Sequence, residues 1–525
     1  MKKIALLLLS MPVLASLQHD DFVARILAYF EAYQVHFPQE KVYLHIDRPQ
    51  YLSGDTLWLK AYCVEATGHQ TDSSQKVLYV ELIDINAHKI IDTHILKVLD
   101  GWSADNFVLS DSLKTGQYQL RAYTNWMRNF PEEFFFHQNI SITNHADKTK
   151  PNPHLPTSTI QIQFFPEGGN LITNLPNRIA FKATNVYGQS VDIKGFILDN
   201  NQDTLQAIRS EHLGLGVFML KPQIGKTYTA VVHYQEETQT FELPLAQSEG
   251  FVMMVNNQPD KVKVFVYHQE PIPQTGKLLL LAQQRGKVCY VAESSMADAS
   301  FSVNIPIQKF SDDGIVHFTL FTENNVPVCE RIVYVNLHKL LKINILADKA
   351  QYKPREKVTL QCQVSNTDGI PQEGNFSITV TDAQQMPEKA FTQDIRSYLL
   401  FSSDIQGFIE NPAYYFDESN AQVTHHLDLL LMTQGWRRFV WKQVLADSLP
   451  TPAYTPEYAL TLAGSFSRTY QDKIPKDVNL TLMLKDQFEQ QILTQVPDLK
   501  TNTFKFDNVE YNGLTEIFLG ITGKK

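Results

Sequence analysis

The sequence predicts a mainly β protein, built as a row of small sandwiches with one helical insertion. Three observations predict it. Apolar residues alternate with polar ones over many short runs, turn signals separate those runs, and 525 residues are too many for one core. Hydrophobic residues make up 43% and charged residues 19%, which suits ordered domains. Aromatics reach 11%, a bias that favours pleated, half-buried surfaces.

The first fifteen residues read as a signal peptide. Lys2 and Lys3 precede an apolar run from Ile4 to Leu9, which Met11 to Leu14 continue. Val13-Leu14-Ala15 fits a small-residue cleavage site. The run is too short to cross a bilayer, and no later stretch is long enough to do so, so the mature chain is expected to lack a transmembrane helix. The chain is thus expected to be exported. A helix is expected within residues 16–37, because Phe22, Ile26, Tyr29, Phe30 and Tyr33 share one face and Pro38 stops it.

From Lys41 the period becomes two. Val42, Leu44 and Ile46 alternate with Tyr43, His45 and Asp47, and further strand-like runs follow to residue 145. Residues 144–158 carry Pro151, Pro153 and Pro156 and read as a linker. Second and third sandwiches are expected over 159–246 and 250–337, and a fourth over 338–447. Within the fourth, residues 388–446 lose the alternation, with helical runs around 394–402 and 424–445. After Pro450, Pro452 and Pro456, a small sandwich is expected over 457–525.

Two internal echoes support a tandem array. Asp47, Gln50, Tyr51, Asp55 and Leu57 align with Asp348, Gln351, Tyr352, Glu356 and Val358. Asn185-Val186-Tyr187-Gly188 aligns with Asn366-Thr367-Asp368-Gly369, each between two strand-like runs, as in a hairpin turn.

Several stretches carry a family resemblance. Val42-Tyr43-Leu44-His45-Ile46-Asp47-Arg48-Pro49, then Tyr51 and Gly54-Asp55-Thr56, resembles the opening of the macroglobulin domain MG2, in the form found in large exported Bacteroidetes proteins. Asp348 to Val358 resembles the same signature, with Arg355 where a glycine is usual. Arg121 to Arg128, Phe164-Phe165-Pro166-Glu167-Gly168-Gly169 and Leu431 to Arg438 are similar to stretches of that group. The resemblance implies immunoglobulin-like, macroglobulin-type sandwiches facing the periplasm or outer membrane. Relatives often continue into a plug domain of TonB-dependent receptors. No plug-like stretch occurs before Lys525, so the chain is either a free-standing scaffold or a truncated form of a plug-bearing protein.

The chemistry is expected to be non-catalytic. No cysteine is followed by the Gly-Glu-Gln of a reactive thioester, and there is no Gly-x-Ser-x-Gly elbow, His-Glu-x-x-His pair or phosphate loop. No cofactor is expected. A net charge of −10 without a basic stripe disfavours nucleic acid. His425-His426 point about 100° apart on a helix and make a poor chelate. Asp199-Asn200-Asn201-Gln202-Asp203 reads as a solvated turn rather than a calcium loop. Cys289 and Cys329 fall in one domain, either paired or as buried thiols.

What remains is a protein that binds protein. Trp126 and Phe130, and Trp436 with Arg437 and Arg438, are the candidate partner-binding residues, with packing at a domain junction as the alternative. The expected partner lies in the cell envelope, with outer-membrane association and an accessory role in TonB-dependent uptake as the finer expectation. The alternative function is an endopeptidase inhibitor without a thioester, for which residues 388–446 occupy the position of a bait.

Overall fold

The computed structural model describes residues 22–71, 76–147, 159–269, 276–386, 391–446, 448–465, 478–485, 490–498, 500–509 and 515–523. The expected signal peptide and most of the proline linker lie outside these residues. Helix α1 spans Phe22–His36, where the helical pattern placed it.

Three complete sandwiches follow. In the first, a three-stranded sheet (Glu40–Ile46, Thr56–Glu65 and Trp102–Val108) faces a five-stranded one. Val42, Leu44, Leu57 and Phe107 interdigitate with Leu78, Val80, Leu82, Leu120 and Ile140. The second pairs Ile160–Pro166, Asn177–Asn185 and Leu215–Leu220 with a four-stranded sheet around Phe181, Ile197 and Val232. The third pairs Gly250–Asn257, Lys261–Gln269 and Ser300–Pro306 with the sheet Lys287–Ser295, Lys277–Gln284, Gly314–Thr322 and Pro327–Val335.

That last sheet is buried on both faces. Leu278, Leu280 and Phe318 point into the sandwich core, whereas Leu279, Leu281, Ile315 and Phe321 point into a second core outside it. The unbroken apolar run Leu278-Leu279-Leu280-Leu281-Ala282 is the sequence signature of a two-sided burial.

The disulfide alternative for Cys289 and Cys329 does not hold, and both are free thiols. They lie on the two outer strands of this four-stranded sheet. Three strand spacings separate them, about 14 Å, twice what a disulfide can bridge.

The fourth unit departs from the expected sandwich. Among the described residues it has one two-stranded sheet, Lys342–Ala347 with Leu360–Ser365. The helical segment contains α2 (Ile395–Leu399), α3 (Val423–Thr433) and α4 (Trp441–Val444). It packs against the first three sandwiches instead of completing the fourth. The C-terminal unit is a small pair of sheets, with Leu480, Leu482, Leu484 and Phe506 in a core that includes Val77 of the first sandwich.

Both echoes in the sequence are echoes in three dimensions. Asp47 Oδ1 accepts the Tyr51 hydroxyl at 2.7 Å and the Trp58 amide at 2.9 Å. Asp348 Oδ1 accepts the Tyr352 hydroxyl at 2.5 Å and the Thr359 amide at 3.0 Å. Asp55 and Glu356 each accept a backbone amide three residues earlier. The intervening position has positive φ in both: 90° at Gly54 and 63° at Arg355. Arg355 therefore adopts a conformation that glycine takes without steric cost. Asn185 and Asn366 cap matching turns, each accepting the amides two and four residues on.

Asp47→Ala would leave the buried Tyr51 hydroxyl unpaired, at about 1–3 kcal/mol. Asp348→Ala acts on an exposed copy of the motif and should cost less. Urea unfolding should rank the two variants in that order. Equal midpoints would show that burial of Tyr51 adds nothing to the strength of the motif.

Candidate functional site: the interdomain junction

The residues that the sequence singles out converge where α1, the first and third sandwiches and the helical segment meet. Gln406 N donates to Gly435 O at 2.8 Å, and Arg437 N to Asp404 O at 3.1 Å, so residues 434–438 run beside 404–406. Trp436 and Arg438, two positions apart, are 7% and 2% exposed, and Arg437 between them is half-buried. Trp436 stacks on His317 of the third sandwich at 5.0 Å. Arg438 Nε donates to Gln39 Oε1 at 2.7 Å. Arg437 donates to Glu133 O at 2.6 Å.

Trp126 is also buried, its indole N–H donating to Pro38 O at 2.6 Å. Phe130 packs between Phe37 and Phe134. Within the chain, these five side chains contact its own other elements. Trp441, close to Trp436 in the sequence, is the centre of the aromatic cluster. It lies against Phe30, Phe321 and Phe439 and donates to Thr319 Oγ1 at 2.8 Å.

A second cluster locks the second sandwich to the third. The Glu167 side chain is fully buried, and its Oε1 accepts Arg331 Nε at 2.9 Å and Val255 N at 3.0 Å. Arg178 Nε lies 3.1 Å from Glu167 Oε2. Arg331 and Arg178 both reach Asp428 of α3 as well. Burial alone would raise the Asp428 carboxyl, but the two guanidinium groups outweigh it and hold it below the usual carboxylate range.

Gly168, next in the motif, has φ of 87°, and a Cβ there would lie 2.9 Å from Met253 N. Only glycine lets the two backbones approach so closely. Neither Arg331 nor Asp428 stood out in the sequence. The available signal was a charge directly before an apolar run: Arg331 before Ile332-Val333-Tyr334-Val335, and Asp428 before Leu429-Leu430-Leu431.

A histidine stack joins α3 to the second sandwich. His212 stacks on His426 at 4.3 Å and on Tyr414 at 4.4 Å, and the Tyr414 hydroxyl and His426 Nδ1 are hydrogen-bonded to each other at 2.7 Å. Burial, then His426, push the His212 imidazole down to about 4, against the weaker pull of Asp192 and Glu410. His425 instead reaches out to Glu211 at 2.7 Å. Among the described residues, no group of three histidine, cysteine or acidic side chains is placed to hold a metal. Asp199 holds a turn, accepting the Asn201 and Asp203 amides and lying 2.5 Å from Lys226 Nζ.

Glu167→Ala should destabilise the protein by about 3–5 kcal/mol, because it takes one of two carboxylate partners from the buried Arg331 and leaves Asp428 as the other. A double-mutant cycle with Asp428→Ala should return a coupling of about 0.5–3 kcal/mol. Additive losses in denaturant unfolding would separate the two carboxylates. The histidine stack sets a pH dependence. With its folded pKa near 4 and an unfolded value near 6.5, His212 adds stability that is full above pH 6.5 and is lost as pH falls towards 4. His212→Phe should flatten that slope in unfolding measured between pH 7 and 4.

No protein-family model matches the chain, and no curated protein matches it. Solved structures similar to it include the alpha-2-macroglobulin of Escherichia coli activated by porcine elastase, at 10% identity over 64% of this chain and 34% of that one, TM-score 0.23. The Salmonella alpha-2-macroglobulin reacted with methylamine matches at 10% identity over 92% of this chain and 37% of that one, TM-score 0.18. Dimeric latent PorU from Porphyromonas gingivalis matches at 11% identity over 57% of this chain and 34% of that one, TM-score 0.26. The chain spans little more than a third of the length of each.

Proposed function

We propose that this protein is a non-catalytic, exported scaffold or interaction protein of the periplasm or outer membrane, and that its fourth unit is the surface it offers. The observation that carries the reading is an open sheet. Cross-strand pairing puts Ile343 opposite Val364, Ile345 opposite Cys362 and Ala347 opposite Leu360, all on one face. Ile343, Ile345 and Leu360 are 55%, 51% and 39% exposed. Phe376, Ile378 and Val380 of the following extended run are exposed too, while Ser377 and Thr379 bond to the first sandwich. A two-stranded sheet is marginal by itself, and a wet apolar face of this kind suits a protein partner.

Two features support the non-catalytic part. Burial pushes the Cys289 and Cys329 thiols up to about 12, which keeps them protonated and unreactive. The helical segment, where a protease bait would lie, has Phe401, Leu430 and Trp441 in the junction core, which favours a scaffold over capture by bait cleavage. In its finer form, the proposal makes the partner a component of TonB-dependent uptake at the outer membrane. Among the described residues no helix is long and apolar enough to cross a membrane.

Cys362 is the exposed thiol among the four cysteines and sits in the middle of the open face, so it reports directly on what covers it. The purified chain should react with a maleimide at Cys362. In envelope membranes of its natural host that labelling should be strongly slowed, and Ile345→Lys should release the protection. Equal labelling in both settings would overturn the proposed surface.

A further inference from the structure

The sheet of the fourth unit has a free edge as well as a free face. Asp348 N donates to Thr359 O at 3.0 Å, just past the end of the ladder. Bonds alternate along an antiparallel pair, so Leu346, Asn344 and Lys342 are the residues that bond across to Gln361, Gln363 and Ser365. Ile343, Ile345 and Ala347 therefore turn their N–H and C=O groups outward, as do Leu360, Cys362 and Val364 on the other strand. That second edge is partly closed, because Val364 O accepts Gln372 N at 3.0 Å and Ser365 bridges to Pro371. The first edge is open: among the described residues, Lys342–Ala347 pairs with Leu360–Ser365 alone, and all six of its residues are exposed. Natural edges are blunted by charge, proline or a bulge. The edge strand Lys89–Lys97 of the first sandwich carries Lys89, Asp92, His94 and Lys97. Ile343-Asn344-Ile345-Leu346-Ala347 has no charge and no proline, and its register runs without a shift.

This edge is also complementary to itself. Two copies related by a two-fold axis bring the same strand together antiparallel. With the axis at Ile345, Ile343 lies opposite Ala347 of the second copy and Asn344 opposite Leu346 of the second copy. Each outward N–H then meets an outward C=O. Lys342 falls opposite Asp348 of the second copy, so an ion pair closes each end. Asp348 spends Oδ1 on the Tyr352 hydroxyl and the Thr359 amide, which leaves Oδ2 for the ammonium group. Lys342 Nζ reaches Thr367 O at 3.3 Å, a neutral acceptor that a carboxylate outcompetes. Moving the axis two residues sets Lys349 opposite Ile345, or Lys342 opposite Asn344, and loses both ion pairs.

We propose that the strand Lys342–Ala347 joins two copies of this chain into a two-fold dimer with one continuous four-stranded sheet, centred on Ile345. The joint uses the edge of the open sheet and leaves its face free. Cys362 sits on the outer strand of the joined sheet, so the surface proposed above for an envelope partner is doubled rather than covered. An edge of this length spans about 20 Å, short of what an obligate interface needs, so the dimer forms as concentration rises.

The test uses the purified full chain, with no envelope present. Sedimentation equilibrium over roughly 5–500 µM should show the mass rising from monomer towards dimer. Lys342→Glu sets like charges opposite Asp348 at both ends and should weaken association about tenfold. Ile345→Pro removes the N–H on the axis without touching a bond to Leu360–Ser365, and should abolish association. Should that variant not fold, Lys342→Glu, an exposed change, decides. In a Cys362→Ser background, a short bis-maleimide should capture Ile345→Cys as a dimer but not Val358→Cys, which lies beyond the outer strand. A monomer at every concentration, or association undiminished in Lys342→Glu or in a folded Ile345→Pro chain, would overturn the joint. Either result leaves the Cys362 labelling in envelope membranes as a separate measure of the face.

Discussion

The carboxylate of Glu167 holds the second and third sandwiches in one arrangement. It is fully buried, so it is stable there only while Arg331, Arg178 and the Val255 amide surround it. Those groups come from different sandwiches, and Asp428 of α3 binds the far sides of both arginines. A buried ion cluster of this kind adds little stability over an apolar one, but it tolerates only one register between its partners. Gly168 works in the same direction, since the backbone contact with Met253 leaves no room for a Cβ.

With that arrangement set, the outer face of the third sandwich becomes the floor of a second core. The helical segment and α1 bury Leu279, Leu281, Ile315 and Phe321 beneath Phe30, Phe401 and Trp441. Segments that are separate in sequence are thereby fused around a shared apolar core. The fourth unit stands outside this economy. The helical segment that follows it in sequence packs elsewhere, and the Ile343/Ile345/Leu360 face is left in solvent.

The repeated motif shows how strongly local hydrogen bonding fixes a strand entry. Asp348 and Tyr352 reproduce the Asp47 and Tyr51 bonds although the fourth unit lacks the packing of the first. Arg355 accepts positive φ in place of the Gly54 conformation. The side-chain acceptors of Asp348 and Glu356 bind the backbone on either side of it, so the turn is over-determined even where the residue type opposes it.

The strands, turns and helices were legible because each depends on periodicity within a few residues. The alternation of Val42, Leu44 and Ile46, the helical face of α1 and the paired Asp47 and Asp348 motifs all appear in the structure where the sequence puts them. The candidate residues Trp126, Trp436 and Arg438 were visible as unusual side chains, but whether they face a partner or another domain depends on how distant segments pack. Only the tertiary structure brought Glu167, Arg331 and Asp428 together, and only it left the fourth sheet uncovered. The reason is one of range. A strand or a cap is decided by neighbours along the chain, whereas a buried charge and the cover of a sheet face are decided by groups hundreds of residues apart.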